Sequence, residues 1–303
     1  MDRNYKLGVL SGLGAYFLWG ILPIYWKLLH EVPPLEILAG RCMWSLAFVA
    51  FLIVAMGKLE MFKAEAKEVF STWKNTLTMV TAALAVSVNW GIFIWAVEDG
   101  RIVETSMGYY INPLVNVLFG MLFLGERLNK LQSIAVLCAC AGICVMGVKN
   151  GSLPWVSVSL AASFAFYGLL KKIIKVQALT SIFLETLFVT PIALAYTYYL
   201  SCNGGNSYEK CGWDIISLLM FSGVVTATPL LLFTTCARLV PLYMVGFLQY
   251  ISPTLTLLVG VFMYGEAFTM THALAFGCIW TGLACFIVSH LRAIRLKLLT
   301  HSR

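Results

Sequence analysis

Charge is what this 303-residue chain has least of: Asp, Glu, Lys and Arg make up 12% of it, against 60% hydrophobic residues. A soluble domain carries about 25% charged residues, so water is not the solvent for most of this chain. Histidine is scarcer still, with four scattered copies at His30, His272, His290 and His301, and there is no Cys-x-x-Cys pair. A metal site is not expected from that set. The chain also has no His-Glu-x-x-His and no Gly-x-Ser-x-Gly. A membrane-embedded enzyme would need one of these. No Gly-x-x-x-x-Gly-Lys-Ser/Thr loop is encoded, so direct ATP drive is not expected, and no cofactor is expected. The N-terminal stretch, Met1 to Lys6, runs into apolar sequence without a small-residue cleavage site and reads as the start of an uncleaved helix.

What the chain has instead is apolar length. Several runs reach the roughly 20 residues needed to span a bilayer as a helix. Their continuity excludes the short alternating strands of a barrel. Spans are expected at 7–29, 35–56, 75–97, 108–127, 131–148, 153–170, 181–200, 213–235, 242–264 and 271–291. The fold class is an all-α polytopic membrane protein of ten transmembrane helices. The polar stretch 58–74 mixes Lys58, Lys63, Lys67 and Lys74 with Glu60, Glu65 and Glu68 and reads as a surface amphipathic helix. Gly8-x-x-x-Gly12 marks a face that another helix can approach closely.

The chain repeats itself. Tyr110-Ile111-Asn112-Pro113 returns as Tyr250-Ile251-Ser252-Pro253, displaced by 140 residues. At the same displacement Gly120, Gly125-Glu126, Ala135 and Gly142 become Gly260, Gly265-Glu266, Ala275 and Gly282. The two copies are 1–149 and 150–303. Five helices per copy is an odd number, so the second enters the membrane upside down, a construction of secondary transporters. Of the 21 Lys and Arg, Arg101, Lys149 and Lys210 fall on one side, Lys27 and Arg41 fall in or at the edge of spans, and the other sixteen share the opposite side with the N-terminus. That bias places both termini in the cytoplasm. It also accounts for the net charge of +7 without a nucleic-acid partner.

Trp19-Gly20, the Tyr-Ile-Asn-Pro and Tyr-Ile-Ser-Pro pair and the twin Gly-Glu turns resemble EamA-type permeases of the drug/metabolite transporter superfamily. Asn89-Trp90-Gly91-Ile92-Phe93-Ile94-Trp95-Ala96, followed by Gly108-Tyr109-Tyr110-Ile111-Asn112-Pro113, is similar to the RarD-like bacterial branch. The resemblance covers nearly the whole chain. It implies ten helices, a central cavity lined by the first four of each half, the fifth and tenth at the periphery, and residence in the bacterial inner membrane. The branch is associated by name with chloramphenicol sensitivity.

The residues that could carry transport are few. Thr105, Tyr109, Asn112 and Asn116 recur on one face of the fourth helix, and Gln249, Ser252 and Thr256 repeat the pattern on the ninth. Buried polar side chains in a bilayer line a wet cavity or bond neighbouring helices, and both readings stand. Trp19, Asn89, Trp90, Tyr110 and Tyr250 join the candidate cavity, with core packing as the alternative for the tryptophans. Pro113 and Pro253 each remove a backbone bond and offer a flexing point or a plain packing kink. Arg41 and Glu185 are the deepest charges, at roughly 9 and 6 Å from opposite boundaries of a core about 30 Å thick. They are not expected to pair. Each serves one mouth of the pathway, Arg41 attracting anions and Glu185 carrying a coupling proton, or each snorkels. Glu126 and Glu266 read as turn and cap residues that close the gates. Cys202 and Cys211 share one loop, where a disulfide is a candidate.

The function expected is a secondary transporter of a small organic solute working by alternating access. The alternatives are an enzyme acting on a lipid-linked substrate and a channel. The expected partners are membrane lipid, the solute and protons, with the chain a monomer or weak dimer.

Overall fold

The computed structural model describes residues 3–124, 129–150, 154–173, 176–240 and 248–301, and among them every regular element is a helix. In order these are α1 (Arg3–Lys27), α2 (Pro34–Ala55), α3 (Leu59–Phe70), α4 (Trp73–Glu98), α5 (Ile102–Leu124) and α6 (Lys130–Asn150). Then come α7 (Trp155–Ile173), α8 (Ala178–Cys202), α9 (Ser207–Lys210) and α10 (Trp213–Leu239). The chain closes with α11 (Ile251–Leu258), continued by a π-helical turn over Val259–Met263, and α12 (Met270–His301).

Seven helices are long and apolar enough to cross a membrane, namely α1, α2, α4, α6, α8, α10 and α12. Trp155–Lys171 and Ile251–Met263 are shorter apolar pieces. Ten spans were expected, and among the described residues seven helices qualify by length and composition. Residues 241–247, where the ninth span was to begin, lie outside them. The outer surface has the character a bilayer requires. Phe51, Val54, Val148, Ile192 and Phe262 are all more than half exposed, far beyond what a water-soluble surface tolerates. Trp73, Trp155 and Trp213 each open a helix, as interfacial tryptophans do.

The expected amphipathic stretch resolves into α3 and the first turn of α4. Val69 of α3 is buried against Met79 and Leu184. Its Glu65 accepts hydrogen bonds from the Gln177 backbone N–H and the Thr180 hydroxyl, closing the start of α8. Glu36 does the same for α9 through the Ser207 N–H at 2.7 Å. Acidic side chains are therefore placed where a helix start offers unpaired N–H groups and the positive end of its dipole.

Close approaches follow small residues. Gly8 and Gly12 bring α1 against α10, where a Cβ on Gly12 would stand 2.5 Å from the Cys236 sulfur. The largest helix pair is α6 with α12, which touch the remaining bundle chiefly through α5. Its contact is reciprocal: a Cβ on Gly142 would meet the Ala275 carbonyl at 2.9 Å, and one on Gly282 would meet the Ala135 carbonyl at 2.8 Å. The numbers rise along α6 as they fall along α12, so these two helices are antiparallel.

Candidate functional site

The echoed helices α5 and α11 meet. The Ser106 hydroxyl donates to the Pro253 carbonyl at 2.7 Å, and the Tyr110 hydroxyl bonds Thr254. Tyr110 and Tyr250, 140 residues apart, stack with ring centroids 6.3 Å apart and planes 16° apart. Gly260 lies against Ile102. Contacts that pair 102 with 260, 106 with 253 and 110 with 250 run antiparallel.

Arg41 stands seven residues into α2, about 10 Å along its axis, and is 4% exposed. It does not reach the bundle surface. Its guanidinium carbon is 4.0 Å from the Trp90 ring centroid and 5.1 Å from that of Trp26. The Tyr25 and Tyr109 phenols are within electrostatic reach. Among the described residues no carboxylate pairs with it, and its Nε is buried without a hydrogen-bond partner. Trp26 Nε1, Ser45 Oγ and Thr226 Oγ1 are in the same condition. Ser45 follows Arg41 by one turn on the same face of α2.

The polar stripe makes interhelical hydrogen bonds. The Asn89 amide donates to the Leu160 carbonyl at 3.0 Å and to Ser163 Oγ at 2.9 Å, while its oxygen accepts from the Tyr109 hydroxyl at 3.3 Å. Asn112 donates to the Ala161 carbonyl at 3.2 Å, and Thr256 to the Gly20 carbonyl at 3.3 Å. Thr105 bonds back within its own helix. Gln249 and Ser252 are half-buried. Trp19 packs edge-on to Tyr16 and tilted to Phe233. Pro113 is buried within α5 and Pro253 within α11. The side chain of Asn116 lies outside the described residues.

Glu185 is 3% exposed and surrounded by donors. Lys171 Nζ lies at 2.8 Å, the Ser181 hydroxyl at 2.7 Å and the Tyr167 hydroxyl at 3.2 Å. Reading Lys171 as a loop residue hid this ion pair, because α7 continues to Ile173. The spacing of Tyr167 and Lys171, four residues apart on one helix, was the available signal. The Trp26 contact to Arg41 was likewise missed, since it depends on how α1 is rotated against α2.

Glu266 caps a helix, and the helix belongs to the other copy of the echo. Gly265 takes φ +66°, and the Glu266 N–H donates to the Gly260 carbonyl at 3.0 Å, closing the preceding turn in the manner of a Schellman cap. Its two carboxylate oxygens accept from the Ile102 and Val103 N–H groups at 2.7 and 2.8 Å, the open start of α5. Burial holds the Glu266 carboxyl above its ordinary 4.5, outweighing the two N–H bonds that pull it down. A raised carboxyl holds its proton more tightly folded than unfolded. Stability from this group therefore falls as pH climbs from its ordinary 4.5 through the folded value. Thermal unfolding of Glu266→Gln, compared with the parent between pH 4.5 and 6.5, should lose that slope, and lost capping should cost about 1 kcal/mol throughout. Glu126, the matching residue, lies outside the described residues.

Cys202 and Cys211, the candidate disulfide pair, are free thiols in this structure. Cys202 is exposed at the end of α8, whereas Cys211 is turned inward onto the cluster holding Ile215 and Leu219. A separate open cleft of about 400 Å³ lies among Met43, Trp44, Thr197, Asn206 and Tyr208, with Trp44 Nε1 donating to the Tyr208 hydroxyl at 3.1 Å.

Residues 6–148 match the EamA-like transporter family. The chain is 43% identical over 289 residues to an uncharacterized transporter, YojE, of Bacillus subtilis (strain 168), covering 95% of each. It is 40% identical over 286 residues to protein RarD of Escherichia coli (strain K12), covering 94% of this chain and 95% of that one. A crystal structure superposes with a TM-score of 0.59 at 18% identity, covering 94% of this chain and 98% of the other, a likeness of fold alone.

Proposed function

The chain belongs to the EamA-like transporter family, in its RarD-like branch, and from that premise we propose that it is a secondary transporter of small organic solutes. It is a multi-pass membrane protein built on apolar helices. In this reading residues 1–149 and 150–303 are inverted five-helix halves, and solute crosses the bacterial inner membrane by alternating access between them. The observation that carries the reading is the reciprocal contact of α6 and α12, with Gly142 on Ala275 and Gly282 on Ala135. Equivalent residues that exchange partners lie about a two-fold axis. Because the two helices are antiparallel, that axis lies in the membrane plane.

In this reading the crossing of α5 and α11 lies on the same axis, and rocking of the halves would work through Pro113, Pro253 and the stacked pair Tyr110 and Tyr250. Glu266 holds one end of that crossing shut, and Glu126 would do so at the other. Glu185 is the candidate proton carrier. Exchange of its Lys171 partner for a proton would leave the carboxyl neutral among hydroxyl groups.

Single cysteines at Arg127 and Ala267, in a background with the nine native cysteines replaced, test the architecture. Membrane-impermeant maleimide added from one side of sealed vesicles should label one and spare the other. Labelling of both from one side would remove the inverted arrangement.

A further inference from the structure

We propose that the solute is an organic anion, a carboxylate on a planar apolar body, bound with its carboxylate at Arg41 and Trp26. The inference deepens the transporter reading and rests on it. A buried guanidinium with no carboxylate partner among the described residues is costly in a bilayer core. Cation–π contact with Trp90 and Trp26 offsets part of that. It leaves the in-plane N–H groups untouched, since a ring face engages the plane of the guanidinium and not its edge.

The orphaned groups decide the chemistry. Arg41 Nε and Trp26 Nε1 are both buried and unpartnered, and both side chains can only donate. A ligand that completes them must bring acceptors. A neutral amide brings one acceptor together with further donors, whereas a carboxylate brings two oxygens and the missing negative charge. Ser45 Oγ and Thr226 Oγ1, unpartnered as well, lie farther along the α2–α10 contact. Tyr25 and Tyr109 pack against the same cluster as Trp26, so aromatic surface borders the donors, as a planar body would need. The unmade bonds at Arg41 and Trp26 are donors that an oxyanion would complete.

Benzoate and benzamide differ in charge and acceptor number at nearly equal shape. Purified protein in nanodiscs of zwitterionic lipid, titrated at pH 8 and followed by tryptophan fluorescence, should bind benzoate at least tenfold more tightly than benzamide. Acetate and inorganic sulfate should bind at least tenfold more weakly than benzoate, because neither fills the rings. Arg41→Gln should abolish the preference for benzoate, and Arg41→Lys should weaken it, since an ammonium lacks the planar fork. Equal binding of benzoate and benzamide by the parent protein would overturn the proposal, and this comparison needs no variant to fold. Undiminished benzoate binding by a folded Arg41→Gln protein would overturn it too. Sulfate binding as tight as benzoate would overturn the planar body, and a fluorescence response only in anionic-lipid discs would assign the donors to a lipid headgroup. Counterflow in proteoliposomes separates the two readings. Exchange of other solutes without benzoate binding sinks this inference and leaves the carrier standing, while binding without any exchange does the reverse.

Discussion

Replacing Gly223 with alanine should unfold the bundle or cost more than about 3 kcal/mol, at the upper end of what overpacking produces. The cause is local and rigid. A Cβ at Gly223 of α10 would overlap the carbonyl carbon and oxygen of Trp44 and come within 2.7 Å of the Ser45 N–H nitrogen. These are backbone atoms in the interior of α2, so no side-chain rotation relieves the clash. The two helices would have to separate along the seam that also carries Ser45 and Thr226. Gly277→Ala on α12 is the control, because nothing stands within 4 Å of its Cβ position. There the same change should stabilise by roughly 0.5–1 kcal/mol through helix propensity alone. Unfolding in detergent with a graded denaturant would rank parent, Gly223→Ala and Gly277→Ala. A mild loss at Gly223 would mean that the α2–α10 approach is slack.

The second large effect is expected at Lys171. Lys171→Met leaves the Glu185 carboxylate 3% exposed with hydroxyl donors but no cation, and breaking a buried pair costs about 3–5 kcal/mol. Lys171 is partly exposed, at 26%, so the lower end applies. The double change Lys171→Met with Glu185→Leu should recover most of the loss, since it removes the stranded charge along with its partner. If the double variant were no better than Lys171→Met, the ion pair would not be the source. Glu185→Gln reads the functional side. Uptake driven by a pH gradient in liposomes should fall to the level of downhill exchange, and unchanged gradient-driven uptake would dismiss Glu185 as the proton carrier.

Much of this fold could be read from hydropathy, because apolar length is a one-dimensional property. The bounds of α1, α2, α4 and α8 lie within four residues of the expected spans, and the polar stretch around Glu65 became α3 as its composition implied. The echo of Ala135 and Gly142 in Ala275 and Gly282 was visible as spacing, although not that each glycine would sit under the other copy's carbonyl. What stayed hidden depends on rotation and distance in space. Which helix Glu266 caps is set by a partner 164 residues away. Cys211 faces the core while Cys202 faces out because α9 turns the loop between them. Arg41 announced itself as a deep charge, but its two tryptophan walls come from α1 and α4, whose facing sides no periodicity specifies. Asn112 gave a polar stripe and no hint that its donor would be taken by the α7 backbone.

The Glu266 cap has a consequence for synthesis. When α5 leaves the ribosome its first two amide protons have no acceptor, and the carboxylate that will take them belongs to chain not yet made. The helix must wait, partly finished, in the insertion machinery or against headgroup water until the C-terminal third arrives. A nascent chain stalled before residue 266 would hold α5 in place without that closure, and amide exchange at Ile102 and Val103 would stay fast until the last helices were threaded.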